Sequence, residues 1–169
     1  MDLLGPTMND LHKFCGYKFS LKTTLKLGIQ LVQRLEHLHD KGYINRDIKP
    51  ENLTMGLGQA CNTVHLIDMG ISKRFMSKRS GQHIPYAEGR PLVGTPCYSS
   101  INADKGCESS RRDDLEGLIY TLILLHSGFL PWAYLVRDED ILNMKTKLSS
   151  EKICEDCPQE FATFLAYCR

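Results

Sequence analysis

The clearest pattern along the chain is a helical one that begins after Ser20. Ser20 is a suitable N-cap residue, and Lys41 followed by Gly42 is a typical stop, so the spacing predicts a helix of about five turns between Ser20 and Lys41. Apolar residues recur along it at helical spacing. They predict one buried stripe, formed by Leu21, Leu25, Val32, Leu35 and Leu38.

A second helical pattern begins near Arg112 and has a different character. Its apolar residues surround the helix instead of lining one face, which is typical of a buried helix around which others pack. These residues are Leu115, Leu118, Ile119, Leu122, Ile123, Leu124 and Leu125. Gly128 and Pro131 end the pattern. We therefore expect a central helix over 113–127 that packs against the first one.

Between the two helices the pattern changes to short strands. The runs 53–55 and 64–67 are separated by a glycine-containing connection, which predicts a small antiparallel hairpin. The segment 68–104 is long and rich in Gly, Pro, Ser and basic residues, as functional loops often are. Weaker helical patterns cover 138–148 and 158–168. The chain is expected to be one mainly α domain.

Composition narrows the functional classes. The 169 residues are 42% hydrophobic and 24% charged, which is typical of a globular protein. A net charge of +1 argues against a nucleic-acid-binding surface, and the apolar run 115–125 is too short to span a membrane. Seven cysteines without framework spacing and no secretory signal indicate a reducing compartment, the cytoplasm or the nucleus.

The candidate chemistry lies in "YINRDIKPENLTMG", residues 43–56, directly after the first helix. A solvated loop is one interpretation, because charged residues near a proline usually form one. A catalytic loop is the other. Asp47, Lys49 and Asn52 follow the spacing D-x-K-x-x-N, and Asp68-Met69-Gly70 follows the second strand.

These groups suit phosphoryl transfer. It needs a carboxylate near the attacking hydroxyl, a cation near the transferred phosphate and oxygen ligands for Mg²⁺. Asp47 is the candidate base, Lys49 the candidate cation, and Asn52 with Asp68 the candidate metal ligands. The D-x-K-x-x-N spacing alone is weak evidence, but a strand pair that ends in Asp-x-Gly makes the pattern specific.

With these residues the chain resembles eukaryotic protein kinases, and more narrowly the casein kinase I family of serine/threonine kinases. The segments that carry the narrower resemblance are "LLGPTMNDL", "FSLKTTLKL", "HIPYAEG", "VGTPCYSSIN" and "SRRDDLEGLIY". Ser100-Ile101-Asn102 stands where most kinases have Ala-Pro-Glu.

The resemblance implies the helical large lobe of a kinase with short hairpins, which uses ATP and Mg²⁺ on protein substrates, some of them acidic, and is a monomer when complete. Residues 1–4 would continue from the hinge between the lobes, and Asp114 would brace the backbone of the catalytic loop. Residues 1–169 contain no Gly-rich loop and no Val-Ala-x-Lys strand. The chain is therefore expected to be a partial kinase domain, truncated at both ends, that is inactive alone.

Two residues beside the site depart from the family pattern. The usual His-Arg-Asp reads Asn45-Arg46-Asp47, and Asp-Phe-Gly reads Asp68-Met69-Gly70. An unsatisfied buried amide at Asn45 would cost about 1–3 kcal/mol. Asn45 and Met69 should touch, so their joint change is expected to be compensatory. Arg46 and Gly70 are retained, so we expect weakened positioning and not abolished chemistry.

Substrate recognition also departs from the family, which reads acidic or phosphorylated residues with basic side chains. Cys97 and Ala87 replace expected arginines, and the stretch 138–140 is acidic. The preference for pre-phosphorylated substrates should therefore be weaker. The remaining basic candidates are Lys73, Arg74, Lys78, Arg79 and Arg90, for which a solvated loop is an equal interpretation.

Three functions compete at this point. The first is a serine/threonine kinase, and the second is a pseudokinase or truncated lobe that binds partners without turnover. A third, another phosphoryl- or nucleotidyl-transferring fold, is disfavoured by the family segments outside the site. The retained Asp47, Lys49, Asn52 and Asp68 favour the first function, whereas Asn45 and the missing small lobe favour the second.

Overall fold

The computed structural model describes residues 3–169, and helices form most of its regular structure, as expected. The α-helices are α1 (Met8–Phe14), α2 (Leu21–Asp40), α3 (Ile101–Asp104), α4 (Arg111–Ser127), α5 (Asp138–Lys147), α6 (Ser150–Ile153) and α7 (Gln159–Cys168). The strands are β1 (Tyr43–Ile44), β2 (Leu53–Met55), β3 (Val64–Leu66) and β4 (Lys73–Arg74). Met1 and Asp2, the start of the expected hinge segment, lie outside the described residues.

The ends of α2 agree with the prediction, but its buried face does not. The Ser20 hydroxyl accepts a hydrogen bond from the N–H of Thr23, and Lys41 is the C-cap. The predicted stripe was right at Leu35, which is buried, but wrong at Leu21, Leu25 and Val32, which are exposed, and Leu38 is only partly buried. The buried residues of α2 are Thr24, Leu27, Gly28, Leu31 and Leu35.

The physical reason for the different face is the contact between α2 and α4. Gly28 lies so close to α4 that a Cβ there would be 3.1 Å from a methyl group of Leu122. The row of α2 side chains that contains Thr24 and Gly28 allows this close approach. The row with Leu21 and Leu25 would hold α2 and α4 further apart. The sequence offered two apolar rows, and close packing selected the one with small residues.

Helix α4 is the buried centre of the fold, as predicted. It begins at Arg111, two positions before the predicted start at residue 113, because Ser110 and Asp113 form a capping box. Its buried residues lie on all sides, and α2 and α7 both pack against it. Gly128 ends it in a left-handed conformation with φ of 92°.

Strands β2 and β3 form the predicted antiparallel hairpin, with Leu53 opposite Leu66. A second two-stranded ladder joins β1 to β4, which the sequence pattern did not predict. Helix α1 was also missed, although Thr7 and Asp10 form a capping box at its start that could have revealed it. No helix in the range 3–169 has both the length and the apolar character required to cross a membrane.

Candidate active site

The charged loop, residues 45–52, is held at its start by Asp114 of the central helix. The backbone N–H groups of Asn45 and Arg46 each donate to one Asp114 carboxylate oxygen, at 2.8 Å and 2.8 Å. His39, near the end of α2, contacts the same carboxylate at 2.8 Å. Asp114 is nearly fully buried, and its two oxygens fix the direction in which the chain leaves β1.

The Asn45 side chain is fully buried and has partners for both of its polar atoms. Its Oδ1 accepts from the N–H of Asp47 at 2.9 Å, and its Nδ2 donates to the sulfur of Met69 at 3.4 Å. The expected contact between Asn45 and Met69 is therefore present. Because the amide is satisfied, the cost of an unpaired buried amide does not arise here. Met69 is 44% exposed, so it fills its apolar position only in part.

The backbone of Arg46 is left-handed, with φ of 72°, which is unusual for a residue with a side chain. Its guanidinium donates to the Ile71 carbonyl from Nε at 2.8 Å and Nη2 at 2.5 Å. Gly94 approaches the same residue from the other side, since a Cβ at Gly94 would be 2.3 Å from the Arg46 carbonyl oxygen. The segment after residue 93 can therefore reach the loop only because position 94 is glycine.

Asp47, Lys49 and Asn52 meet in one hydrogen-bonded cluster, together with Thr95. The Lys49 Nζ lies 2.7 Å from Oδ2 of Asp47, and the Asn52 Nδ2 donates to the same oxygen at 2.9 Å. Thr95 Oγ1 donates to the other Asp47 oxygen at 2.8 Å and accepts from Lys49 at 2.9 Å. Asp47 and Lys49 keep about 10% and 23% of their side chains exposed, so both remain accessible.

Asp68 lies apart from this cluster in its hydrogen bonding. Its backbone is left-handed with φ of 60°, and its Oδ1 accepts from the N–H of Gly70 at 3.0 Å. The side chain is exposed, and across residues 3–169 no hydrogen bond or ion pair joins it to Asp47 or Asn52. The structure thus brings three of the four predicted polar groups into contact and leaves Asp68 open to a ligand.

Asn52 and Asp68 both have oxygen atoms of the kind that Mg²⁺ binds. The Asn52 amide uses its NH₂ group on Asp47, so its oxygen is left as the acceptor. The exposed Asp68 carboxylate adds oxygens of the hard type that Mg²⁺ prefers, and water and phosphate usually supply the other ligands. Among the described residues no group of three His, Cys, Asp or Glu side chains could hold a metal by itself.

The basic side chains predicted for substrate binding do not form one free patch. Lys73 and Arg90 both contact Glu108, at 2.6 Å and 3.0 Å. Arg74 stacks over the ring of Tyr43. Lys78 and Arg79 are exposed in the loop that follows β4. The interpretation of a solvated loop fits those last two residues best.

Glu108 is surrounded by positive charge. Burial acts to raise the pKa of its carboxyl, but the hydrogen bond and charge of Lys73 and the charges of Arg90 and Arg46 act in the opposite direction and prevail. The pKa of Glu108 therefore lies below its usual value. The Glu108 carboxylate therefore connects Lys73 of β4 to Arg90, and the charge of Arg46 lies nearby.

Sequence reasoning missed two residues of this site. Thr95 is part of the "VGTPCYSSIN" segment used for the family resemblance, but its contact with Asp47 has no local signal, because 48 positions separate them. Glu108 looked like one charge in a polar loop. Only the folded chain shows that it binds two of the basic candidates.

A comparison with protein-family models gives one match that covers almost the whole chain. Residues 5–168 match the model described as a protein kinase domain. The charged loop, Thr95 and Asp114 all lie inside the matched range.

Proposed function

The chain belongs to the protein kinase domain family, whose function is phosphoryl transfer with ATP and Mg²⁺, and from that premise we propose that it is the large lobe of a serine/threonine kinase of casein kinase I type. The observation that carries this proposal is the cluster of Asp47, Lys49, Asn52 and Thr95 on a loop whose backbone is held by Asp114. Such a rigid set of charged groups is what phosphoryl transfer requires of a protein.

Each group in the cluster has a role in this proposal. The substrate hydroxyl oxygen forms a bond to the γ-phosphorus of ATP, the bond from that phosphorus to the β–γ bridging oxygen breaks, and ADP leaves. The hydroxyl proton goes to the Asp47 carboxylate, which has a lone pair on Oδ1 beyond those that Thr95, Lys49 and Asn52 use. Lys49 stabilises the charge on the transferred group. Asn52 and Asp68 would hold Mg²⁺, which neutralises phosphate charge when bound.

Two of the segments that carry the casein kinase I resemblance contact each other in the fold. The Ser100 hydroxyl caps α3 and donates to the Asp113 carboxylate at 2.6 Å, where both residues are buried. This bond joins the "Ser-Ile-Asn" segment to the "SRRDDLEGLIY" segment. The two stretches that distinguish the narrower family therefore depend on each other structurally.

Substrate preference is a separate part of the proposal. Cys97 is half-buried, its carbonyl accepts from Trp132, and its side chain has no positive charge to offer where the family has arginine. Lys73 and Arg90 are already neutralised in part by Glu108. We propose protein substrates with acidic residues and only a weak preference for an upstream phosphate. Charge-assisted bonds to phosphate are worth about 1.5–3 kcal/mol each, so the loss of two arginines is large.

The test is a fusion of a casein kinase I small lobe ahead of Met1, compared with the chain alone. Phosphate incorporation into matched acidic and pre-phosphorylated peptides is measured with labelled ATP. We expect activity in the fusion, none in residues 1–169 alone, and loss of the fusion's activity with Asp47→Asn. The two peptides should be phosphorylated at similar rates.

Two results would decide against the enzyme. If a soluble, folded fusion is silent but still binds ATP or protein partners, the pseudokinase interpretation is correct. If the Asp47→Asn fusion keeps full activity, Asp47 is not the base. A circular dichroism spectrum of each sample serves as the control for folding.

A further inference from the structure

A second concave surface lies away from the charged loop. It runs between α1, the first turns of α2 and the β2–β3 hairpin, and it encloses about 680 Å³, which is in the usual range of about 300–1,000 Å³ for ligand-binding clefts. Apolar side chains line most of it: Met8, Leu11, Phe19, Leu27, Met55 and Leu57. We refer to it as the α1–α2 groove. It shares no lining residue with the cluster around Asp47.

The floor and the rim of the groove differ in exposure. Met8, Phe19 and Leu27 are buried and form a fixed apolar floor, whereas Leu57 at the rim is 46% exposed. The segment that leads into α1 is anchored to the hairpin, because Gly5 donates to the Met55 carbonyl at 2.8 Å and Met55 donates to the Pro6 carbonyl at 3.1 Å. The groove is therefore largely preformed.

The charge around the groove is strongly one-sided. The helical side of the groove, residues 5–31, carries four lysines, which are all exposed, and a single acidic residue, Asp10. The lysines are Lys13, Lys18, Lys22 and Lys26; Lys18 lines the groove, and Lys22 and Lys26 are the chain neighbours of the lining residues Thr23 and Leu27. Asp10 is engaged by Thr7 in the capping box of α1. The opposite side, residues 53–66, has no Asp, Glu, Lys or Arg.

From this combination we propose that the α1–α2 groove docks a short peptide segment of a partner protein that carries apolar side chains flanked by acidic residues. The apolar floor takes the partner's aliphatic or aromatic side chains, and the lysines attract and orient its carboxylates. A basic or neutral apolar segment would lack the second interaction. This docking is independent of the proposed phosphoryl transfer, since it uses none of the same residues.

Two native cysteines make the proposal testable without any activity. Cys15 and Cys61 both line the groove, on its helical and hairpin sides respectively, and both residues are exposed. A bound peptide should protect both from alkylation by N-ethylmaleimide. Cys107 is partly exposed and lies outside the groove lining, so it serves as the internal reference.

The probe is a displayed library of random peptides of about twelve residues, selected on the whole chain. We expect the enriched sequences to combine apolar residues with a net negative charge. The corresponding synthetic peptides should slow alkylation of Cys15 and Cys61 about tenfold or more and leave Cys107 unchanged. Replacing their acidic residues with lysine should abolish the protection.

Variants of the chain supply matched controls. Leu57→Glu places a charge on the exposed rim and should weaken binding about tenfold or more, while Val136→Glu makes the same kind of change at a residue that is 92% exposed outside the groove and should have no effect. Lys22→Glu should weaken binding several-fold, and Lys147→Glu on α5 should not.

Several outcomes would overturn the proposal. Enriched peptides without net negative charge, or peptides that bind the Leu57→Glu variant as well as the original chain, would exclude this groove or this partner chemistry. If Cys15 and Cys61 are already protected and become reactive on dilution, a second copy of the chain occupies the groove instead. Equal protection of Cys107 would indicate a general change in structure.

Discussion

At the scale of single residues, Asn45 and Met69 show how the site tolerates two departures from its family pattern. Asn45 uses its oxygen to hold the N–H of Asp47 and its amide to contact the sulfur of Met69. The polarizable sulfur of Met69 accepts a weak hydrogen bond, whereas the edge of an aromatic ring has no acceptor atom. The two residues contact each other directly, so we expect the two changes to be coupled.

We predict that Asn45→Ala destabilises the chain by about 1–3 kcal/mol, because it leaves the buried N–H of Asp47 without a partner. Met69→Leu keeps the apolar volume and should cost less than about 1.5 kcal/mol. Urea unfolding of both variants and of the double variant measures their coupling. If the two effects simply add, Asn45 and Met69 are not a coupled pair.

Glu108 should make the stability of the region around β4 depend on pH. Its pKa is below the ordinary value of 4.5 because of the surrounding Lys73, Arg90 and Arg46, despite the opposing effect of burial. A carboxyl with a lowered pKa in the folded state stabilises the fold above its unfolded pKa, and this contribution is lost as the pH falls through the folded pKa.

The predicted result is that Glu108→Gln lowers the free energy of unfolding near neutral pH, by an amount on the order of 1 kcal/mol. The difference from the unmodified chain should shrink below pH 4.5 and vanish once the pH is under the folded pKa. Chemical unfolding at a series of pH values provides the measurement. A difference that stays constant with pH would show that the charge of Glu108 is not responsible.

At the scale of elements, the segment between β4 and α3 reaches the charged loop through one glycine. Gly94 has φ of 101° and lies against the Arg46 carbonyl, and Gly89 has φ of 71° in open space. The pair separates two effects of glycine, since both positions require a left-handed backbone but only one requires the absence of a Cβ.

Gly94→Ala should therefore cost about 1–3 kcal/mol more than Gly89→Ala, because both substitutions place a side chain at a positive φ but only Gly94→Ala adds a clash with the Arg46 carbonyl. It should also displace Thr95 from Asp47. Thermal unfolding compares the two costs, and hydrogen exchange of residues 90–100 reports the displacement. Equal costs would mean that the segment can move away from the loop without penalty.

Helix α5 is connected to the same segment through a fully buried lysine. Lys145 Nζ donates to the carbonyls of Pro96 and Ser99 at 2.6 Å and 2.7 Å and pairs with Asp104 at 2.8 Å. Burial lowers the pKa of the Lys145 ammonium, and the nearby Asp104 carboxylate opposes that effect. The Lys145 ammonium thus connects α5 to the segment 96–99 and to Asp104 of α3.

Removing this charge should be costly, because Asp104 would remain buried without its partner. We predict that Lys145→Met destabilises the chain by about 3–5 kcal/mol, whereas the exposed Lys147→Met changes the stability little. Adding Asp104→Ala to Lys145→Met should recover part of the loss. Calorimetry of the three variants tests this, and a double variant no more stable than Lys145→Met would contradict the explanation.

At the scale of the whole molecule, α4 unites the parts. It contacts α2 and α7 along its length, holds the charged loop through Asp114, and supplies Asp113 to the bond with Ser100. The segment between α4 and α5 packs against α4 through Trp132. This side chain is fully buried and lies against the ring of Tyr120, with ring centroids 4.9 Å apart. Such shared packing should make unfolding cooperative.

Trp132 is the single tryptophan of the chain, so its fluorescence reports on one place. We predict that the fluorescence transition in urea coincides with the loss of helix by circular dichroism. An earlier fluorescence transition would show that the α5 region unfolds separately from the core. The Leu118→Ala variant, which removes buried volume from α4, should shift both transitions together, at a cost of about 2–5 kcal/mol.

The sequence alone determined the features that depend on local order. The N-cap at Ser20, the glycine stops and the apolar periodicity defined the extent of α2 and α4, and the short runs at 53–55 and 64–67 defined the hairpin, whose second strand ends one residue earlier, at Leu66. Asp47, Lys49 and Asn52 were identifiable because they lie within six positions and the loop geometry brings them together.

Only the tertiary structure decided the features that depend on distant contacts. It chose the face of α2 that is buried, because the close approach of Leu122 to Gly28 favours the row of small residues. It also added Thr95 to the cluster and placed Glu108 between Lys73 and Arg90. These pairings join residues that are far apart along the chain, and no periodicity or spacing records which of them meet once the core is packed.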